Sequence, residues 1–279
     1  MFDAYRICNG IADGLDGITI DKYAAHYQIQ FFNEKMLKYE QNLVEFVKKR
    51  FSPEFIAVKY RFEDRSLIKA VFGNCSKTIV EESGCKFAVD LLVTLNPGLF
   101  LDMRDARQMF GKMCKGKDVL NLFAYTCSFG VYAKKNGANR VVNVDISKKN
   151  LNRGKENFAL NDLEGEFFCG SAEEYVNWAA KKGKKFGAIV IDPPSFAKNG
   201  KKTFSVAKDF EPLAAKCRDI SDGVVLLATN YSPWCGGNAL QEMAANIGCK
   251  VLKSGAQGKD FPGLPAMVWV LANFSKLHL

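Results

Sequence analysis

The sequence predicts an α/β protein, with a mainly parallel sheet over residues 96–279 and a small α+β domain over residues 1–95. Three observations predict it. Beyond residue 96, short runs rich in Val, Ile and Leu alternate with segments of helical periodicity, the pattern of strand–helix–strand crossovers. The β-branched run Ile189–Ile191 ends in Asp192-Pro193-Pro194-Ser195-Phe196; proline cannot donate to a ladder and holds φ near −65°, so the strand stops there. Before residue 96, strands instead flank a single helical segment.

Ile18–Tyr23 and His26–Phe32 alternate with period two, as a hairpin does. From Lys35 to Arg50, Leu37, Leu43, Val44, Phe46 and Val47 recur at helical spacing. Strands follow near 55–60, 67–71, 78–82 and 85–92. In the second part, 105–114 reads as helix, 118–123 as a short buried strand, 128–136 as helix and 140–145 as strand. A helix at 148–161, a strand at 165–169 and a helix at 173–182 lead to the strand 187–192. Helix 208–220, strand 223–229, helix 241–247 and strands at 250–254 and 267–274 complete the chain.

With 279 residues, 48% of them hydrophobic, the chain can fill a substantial core, which excludes a disordered protein. No apolar run approaches the ~20 residues of a membrane helix. The start, Met1-Phe2-Asp3-Ala4, has neither the basic nor the apolar region of a signal peptide. Nine scattered cysteines form no Cys-x-x-Cys pair, and there are two histidines. That argues against a zinc site or a disulfide framework and for reduced thiols, so a cytoplasmic enzyme without a metal is expected. Residues 1–95 carry 13 basic and 13 acidic side chains, so the whole surplus of +9 falls in residues 96–279. A basic surface of that kind favours a polyanionic partner such as RNA or DNA.

Open α/β sheets bind ligands beyond the carboxyl ends of their strands. After the first strand of the second part come Asn121-Leu122-Phe123-Ala124-Tyr125-Thr126-Cys127-Ser128-Phe129-Gly130. Ala124, Thr126, Ser128 and Gly130 keep this turn small enough for backbone to approach a ligand. Asp145 ends the next strand, followed by Ile146, at the place where an acid commonly accepts hydrogen bonds from ribose hydroxyls. Ser147 is available to cap the following helix instead. The third strand end, Ser171-Ala172, is placed near an adenine. Asp192 closes the set, with free carbonyls around Pro193 and Pro194 and the Phe196 ring to stack on a planar base.

In this order the motifs resemble the class I S-adenosylmethionine-dependent methyltransferases that include the bacterial large-subunit ribosomal RNA methyltransferases. The resemblance spans nearly the whole length. It begins with Asn9–Gly17 and Asp21–Tyr23, similar to the start of the family's middle domain, and includes Glu156–Asn161. Asn96–Arg107 is similar to a segment that folds over the cofactor, which brings in Phe100, Asp102 and Arg104. The resemblance implies a Rossmann-like methyltransferase domain, S-adenosylmethionine as cofactor and a ribosomal RNA base as substrate. A monomer and a homodimer are both open.

Three departures shape the expectation. The family's fuller members begin with a small RNA-binding PUA domain absent from this sequence, so RNA recognition is expected from residues 1–95 and from Lys198, Lys201, Lys202 and Lys208. The Asn199-Gly200 turn among those lysines suggests a lid over the base. Second, Cys127-Ser128 stands where many relatives have Gly-Gly. Third, cytosine-C5 relatives carry a nucleophilic cysteine after the strand that follows Asp-Pro-Pro. Here that stretch reads Asn230-Tyr231-Ser232-Pro233-Trp234, and Cys235 comes a few residues late. Methylation of a base nitrogen is therefore favoured, with Asn230 on the base edge. Cytosine-C5 chemistry, a protein or small-molecule substrate, and a non-catalytic RNA-binding or assembly factor remain the alternatives.

Overall fold

The computed structural model describes residues 2–62, 67–93, 96–199, 202–235, 237–263 and 265–274, with only the backbone at 197–199 and 202–203. They fall into two compact units: Met1–Asp102 with Gly258–Gly263, and Met103–Gln257 with Leu264–Leu279.

The first unit holds strands β1 (Ala4–Asn9), β2 (Ile18–Tyr23) and β3 (His26–Phe31), helix α1 (Glu40–Phe51), and strands β4 (Phe55–Tyr60), β5 (Leu67–Phe72), β6 (Lys77–Glu82) and β7 (Cys85–Asp90). The first five strands form one sheet in chain order, parallel only between β3 and β4, and β6 and β7 pair as a hairpin. Val44 and Val47 of α1 pack with Ile18, Ile20, Ile29, Phe31, Ile56 and Val58 on one face. The helical pattern at Lys35–Arg50 resolves into a tight 3-10 segment, Glu34–Tyr39, and then α1. The Asn33 side chain accepts from the Lys35 amide and starts the segment in that tighter winding.

The opposite face of the sheet carries a polar row. The Arg6 guanidinium grips the Asp21 carboxylate at 2.7 and 2.9 Å, Gln30 donates to Asp21 at 3.0 Å, and Arg61 donates to Gln30 at 2.8 Å. Residues 258–263 join this unit because Asp260 accepts from the Arg6 amide, Phe261 lies 4.4 Å from the Arg6 guanidinium, and Pro262 accepts from Asn9.

The second unit holds α2 (Arg104–Lys112), β8 (Asp118–Leu122), α3 (Ser128–Lys135), β9 (Arg140–Asp145), α4 (Lys148–Ala159), β10 (Glu166–Cys169), α5 (Ala172–Lys181) and β11 (Phe186–Ile191). There follow β12 (Phe196–Asn199), β13 (Lys202–Ser205), α6 (Val206–Lys216), β14 (Ser221–Thr229), α7 (Ser232–Cys235), α8 (Ala239–Asn246), β15 (Cys249–Ala256) and β16 (Val268–Phe274). Seven strands make one sheet in the order β10-β9-β8-β11-β14-β16-β15. The first five run parallel, and β16 is antiparallel to both neighbours. The expected α/β Rossmann-like domain is therefore present. Alternate residues of the central strands (Leu120, Leu122, Val142, Val144, Ile189, Ile191, Val225, Leu227) pack against α5, α6 and α8 through Val176, Phe210, Leu213 and Met243.

Among the described residues, β1, the β12–β13 hairpin and the short helix α7 were not anticipated as elements. No helix among the described residues is long and apolar enough to cross a membrane.

Candidate active site at the strand ends

Strand order reverses direction beside β8, so the turn after β8 lies at the crevice where open sheets bind ligands. Phe123, Tyr125 and Cys127 all take left-handed backbone, with φ of 56°, 48° and 61°. Each such residue costs about 1–2 kcal/mol relative to ordinary backbone. Several contacts hold the turn in this shape. The Ala124 amide donates to the Val144 carbonyl at 2.9 Å and the Tyr125 amide to Asp145 at 2.8 Å. From α4, the buried Asn157 side chain donates to the Thr126 carbonyl at 2.9 Å. Beneath the turn, Asn121 donates to Asn143 across the β8–β9 pair at 2.9 Å, so its amide is built into the sheet rather than turned to the crevice. A Cβ at Gly130 would lie 2.3 Å from Asn143 Oδ1, which is why α3 carries glycine there.

Asp145 ends β9. One carboxylate oxygen accepts from the Tyr125 amide and the other from the Ser147 amide, both at 2.8 Å. The Asn150 side chain bonds this group as well, and since a carboxylate offers about four acceptor positions, capacity remains for a ligand hydroxyl. Capping of α4 falls to Ser147, whose hydroxyl accepts from the Asn150 amide. Burial raises the Asp145 carboxyl, opposed by the bonds from Ser147 and Tyr125. Ile146 beside it is 40% exposed, an apolar surface at the same strand end.

At the neighbouring strand ends, Ser195 donates to the Asn230 side chain at 3.1 Å, tying the Asp192–Phe196 loop after β11 to the loop after β14. Pro193 is buried and Pro194 exposed, while the Phe196 ring is 67% exposed at the start of β12. The returning strand β13 carries Phe204, whose ring centroid lies 5.0 Å from that of Phe123. The hairpin therefore packs on the turn after β8.

A model of the S-adenosylmethionine-dependent methyltransferases matches residues 40–264, most of the chain. The chain belongs to this family. S-adenosylmethionine is its cofactor. Among relatives, YwbD of Bacillus subtilis, a candidate ribosomal RNA large subunit methyltransferase, is 35% identical over 82% of this chain and 61% of its own length. Ribosomal RNA large subunit methyltransferase I of Aeromonas salmonicida is 30% identical over 92% of this chain and 70% of its own length. The chain thus spans between about three fifths and seven tenths of these relatives. A crystal structure of SMU.776, a candidate methyltransferase complexed with SAH, superposes with a TM-score of 0.89 at 25% identity, covering 98% of this chain and 76% of that one.

The methyltransferase's strand ends fit an adenosine-bearing cofactor. The fit rests on the spare acceptor capacity of Asp145, the exposed Ile146, and the strained turn that brings backbone to the crevice. Ala124 and Thr126 are buried in that turn, while Phe123, Tyr125 and Ser128 are half-buried. Ser171 is engaged as the cap of α5: its hydroxyl accepts from the Glu174 amide while Glu174 accepts from the Ser171 amide. Ala172 behind it is buried. Phe100 and Asp102 belong to the first unit, whereas Arg104 opens α2 in the second. Lys208 is exposed on α6. Lys201 and the side chains of Lys198 and Lys202 lie outside the described residues, and so does the tip of the expected lid.

Cys235 sits in α7 with its thiol 3.4 Å from the Tyr231 carbonyl, and burial pushes that thiol up. Sequence reasoning passed over Asn157 as a site residue, although it had singled out its segment. Its signal was weak: an asparagine inside a helix usually faces water, and only the fold brings it under Thr126.

Proposed function

We propose that this methyltransferase acts on a nitrogen of a base in RNA, with large-subunit ribosomal RNA the substrate class, in the cytoplasm. The observation that carries the reading is the Ser195–Asn230 bond, made by the loop that also carries Asp192 and the exposed Phe196 ring. It joins an acid, an amide and an aromatic face at adjacent strand ends. Such a set suits a flat heterocycle with polar edges. The relatives named above, both ribosomal RNA large subunit methyltransferases by name, support ribosomal RNA as the substrate class.

Bound S-adenosylmethionine supplies an electrophilic methyl group. In our reading Asp145 would accept hydrogen bonds from the ribose hydroxyls, Ile146 and the Ser171-Ala172 strand end would flank the adenine, and the Phe123–Ser128 turn would line the rest of the cofactor. Arg104, which opens α2 in the same unit, would contribute to that site. Phe196 stacks on the target base and Asn230 hydrogen-bonds its edge. Asp192, with the carbonyls of the Pro193-Pro194 segment, orients the reacting amine and takes its proton. Methyl transfer demands in-line approach, so positioning supplies much of the rate. Lys198, Lys201, Lys202 and Lys208 engage the RNA backbone, as do surfaces of residues 1–95.

Cytosine-C5 chemistry needs a thiolate, and the buried Cys235 thiol, held toward the Tyr231 carbonyl and disfavoured as an anion, is a poor source. Transfer of labelled methyl to unmodified large-subunit ribosomal RNA tests the reading, with wild type beside Asp192→Ala and the product identified by mass spectrometry. A nitrogen-methylated nucleoside lost in the variant supports it. A 5-methylcytidine product would overturn the choice of nitrogen. No incorporation into RNA, with cofactor still bound, would overturn the substrate.

A further inference from the structure

We infer that the exposed face of α4 is a binding groove for the phosphodiester backbone of the RNA substrate. The inference rests on the proposed RNA substrate and adds a contact surface to it. A groove of about 410 Å³ is lined there by Lys148, Lys149, Asn152, Arg153 and Glu156. Lys148, Lys149 and Asn152 are exposed, and Arg153 is half-buried.

The charges of α4 are placed against the interests of the helix itself. Its first turn holds two lysines and no acid, and its last turn has no basic residue. Helix dipoles favour the reverse arrangement. Lys149 and Arg153, four residues apart, also repel each other along one face. Glu156, three residues beyond Arg153, is the single counter-charge lining the groove. Three cations against one anion leave the groove attractive to a polyanion. The basic surplus of residues 96–279 extends that preference over the second unit.

Location favours an RNA backbone over a free anion. α4 begins directly after Asp145 and Ile146, so Lys148 and Lys149 stand at the same edge of the sheet as the Asp192 loop. β9 is two strands from β11 in the sheet order, about 10 Å at ordinary strand spacing. A strand of RNA with one base held at Phe196 can place neighbouring phosphates over that interval. Arg153 adds a link to the cofactor turn, because its side chain hydrogen-bonds Tyr125, whose amide bonds Asp145.

The test is equilibrium binding of an unmodified large-subunit ribosomal RNA fragment to the 279-residue chain loaded with SAH, as a function of salt. Wild type is compared with Lys148→Gln/Lys149→Gln and with Lys112→Gln/Lys115→Gln, which removes equal charge at the opposite edge of the sheet. We expect the first variant to lose roughly 10- to 30-fold in affinity near 0.1 M salt and about 1.5 from the logarithmic salt slope. Its SAH affinity should stay within about twofold and its melting temperature should not fall, since the lysines removed oppose the helix dipole. The control pair should keep affinity and slope. Equal behaviour of the two variants would overturn the groove while leaving the RNA reading intact. Failure of the wild type to bind RNA would remove both.

Discussion

The thiol of Cys127 fills the space that the missing side chain of Gly154 leaves on α4. A Cβ at Gly154 would lie 2.3 Å from Cys127 Sγ. Cys127 itself is fully buried and holds φ at 61°, a conformation ordinarily left to glycine. A strained residue in the turn after β8 is thus matched to a glycine 27 positions later in the helix that also supplies Asn157. The departure from Gly-Gly at Cys127-Ser128 is accommodated by packing and leaves the turn formed.

Gly154→Ala should destabilise the protein by about 1–3 kcal/mol through overpacking and should weaken S-adenosylmethionine binding, because the methyl pushes Cys127 and the turn. Cys127→Gly relieves backbone strain of about 1–2 kcal/mol but loses a packed side chain. Combining the two should restore much of what Gly154→Ala loses. Unfolding and cofactor binding measured on all four proteins give the coupling. Strict additivity would refute the match.

Asp145→Asn should lower S-adenosylmethionine affinity roughly 10- to 100-fold, the effect of losing hydrogen bonds to a charged group. The pH dependence has two parts. Because burial raises this carboxyl, its contribution to stability is present below the unfolded value and is lost as pH rises through the folded one. Cofactor binding runs the other way, since ribose hydroxyls need an acceptor. Affinity should therefore fall on acidification from a higher pH than an ordinary aspartate dictates. Calorimetric titration with SAH across the acid range checks this, and a pH-independent affinity in wild type would contradict it.

Lys59 is fully buried on β4, and burial, with repulsion from Arg61, pushes its ammonium down to about 8 from 10.5. The folded state sheds this proton first, so stability should rise as pH climbs between those values. Lys59→Met should abolish that rise. Denaturant midpoints at neutral and alkaline pH decide it; an unchanged alkaline slope in the variant would show that another group is responsible.

Ser195→Ala should slow methyl transfer roughly 3- to 10-fold, with S-adenosylmethionine affinity unchanged, because it frees Asn230 from the Asp192 loop. Asn230→Ala should cost more, removing both the tether and the proposed base contact. Steady-state kinetics with RNA and direct cofactor binding separate the effects. A loss of cofactor affinity in Ser195→Ala would assign the loop to the donor rather than the base.

Much of the architecture was legible because the central parallel strands β8, β9, β11 and β14 are largely buried and read as short apolar runs. The β12–β13 hairpin was read as a lysine-rich loop, since its packing of Phe204 on Phe123 joins residues 81 positions apart. β1 escaped because a register shift between Arg6 and Cys8 breaks its alternation. Within the site, Asp145, Ser147 and the Asp192 loop were visible as polar residues following apolar runs. Asn157 was not, because nothing along the chain announces which carbonyl a helical amide will meet.

The sequence by itself determined the alternation of strands and helices, the strand-end acids and the prolines that stop β11, because these depend on periodicity and backbone geometry within a few residues. Tertiary structure alone decided that β16 enters antiparallel between β14 and β15, that residues 258–263 return to the first unit, and that Asn157 and Gly154 shape the turn around Thr126 and Cys127. Those outcomes depend on close packing between segments distant along the chain, where a few ångströms decide whether a side chain fits, and local pattern does not encode such distances.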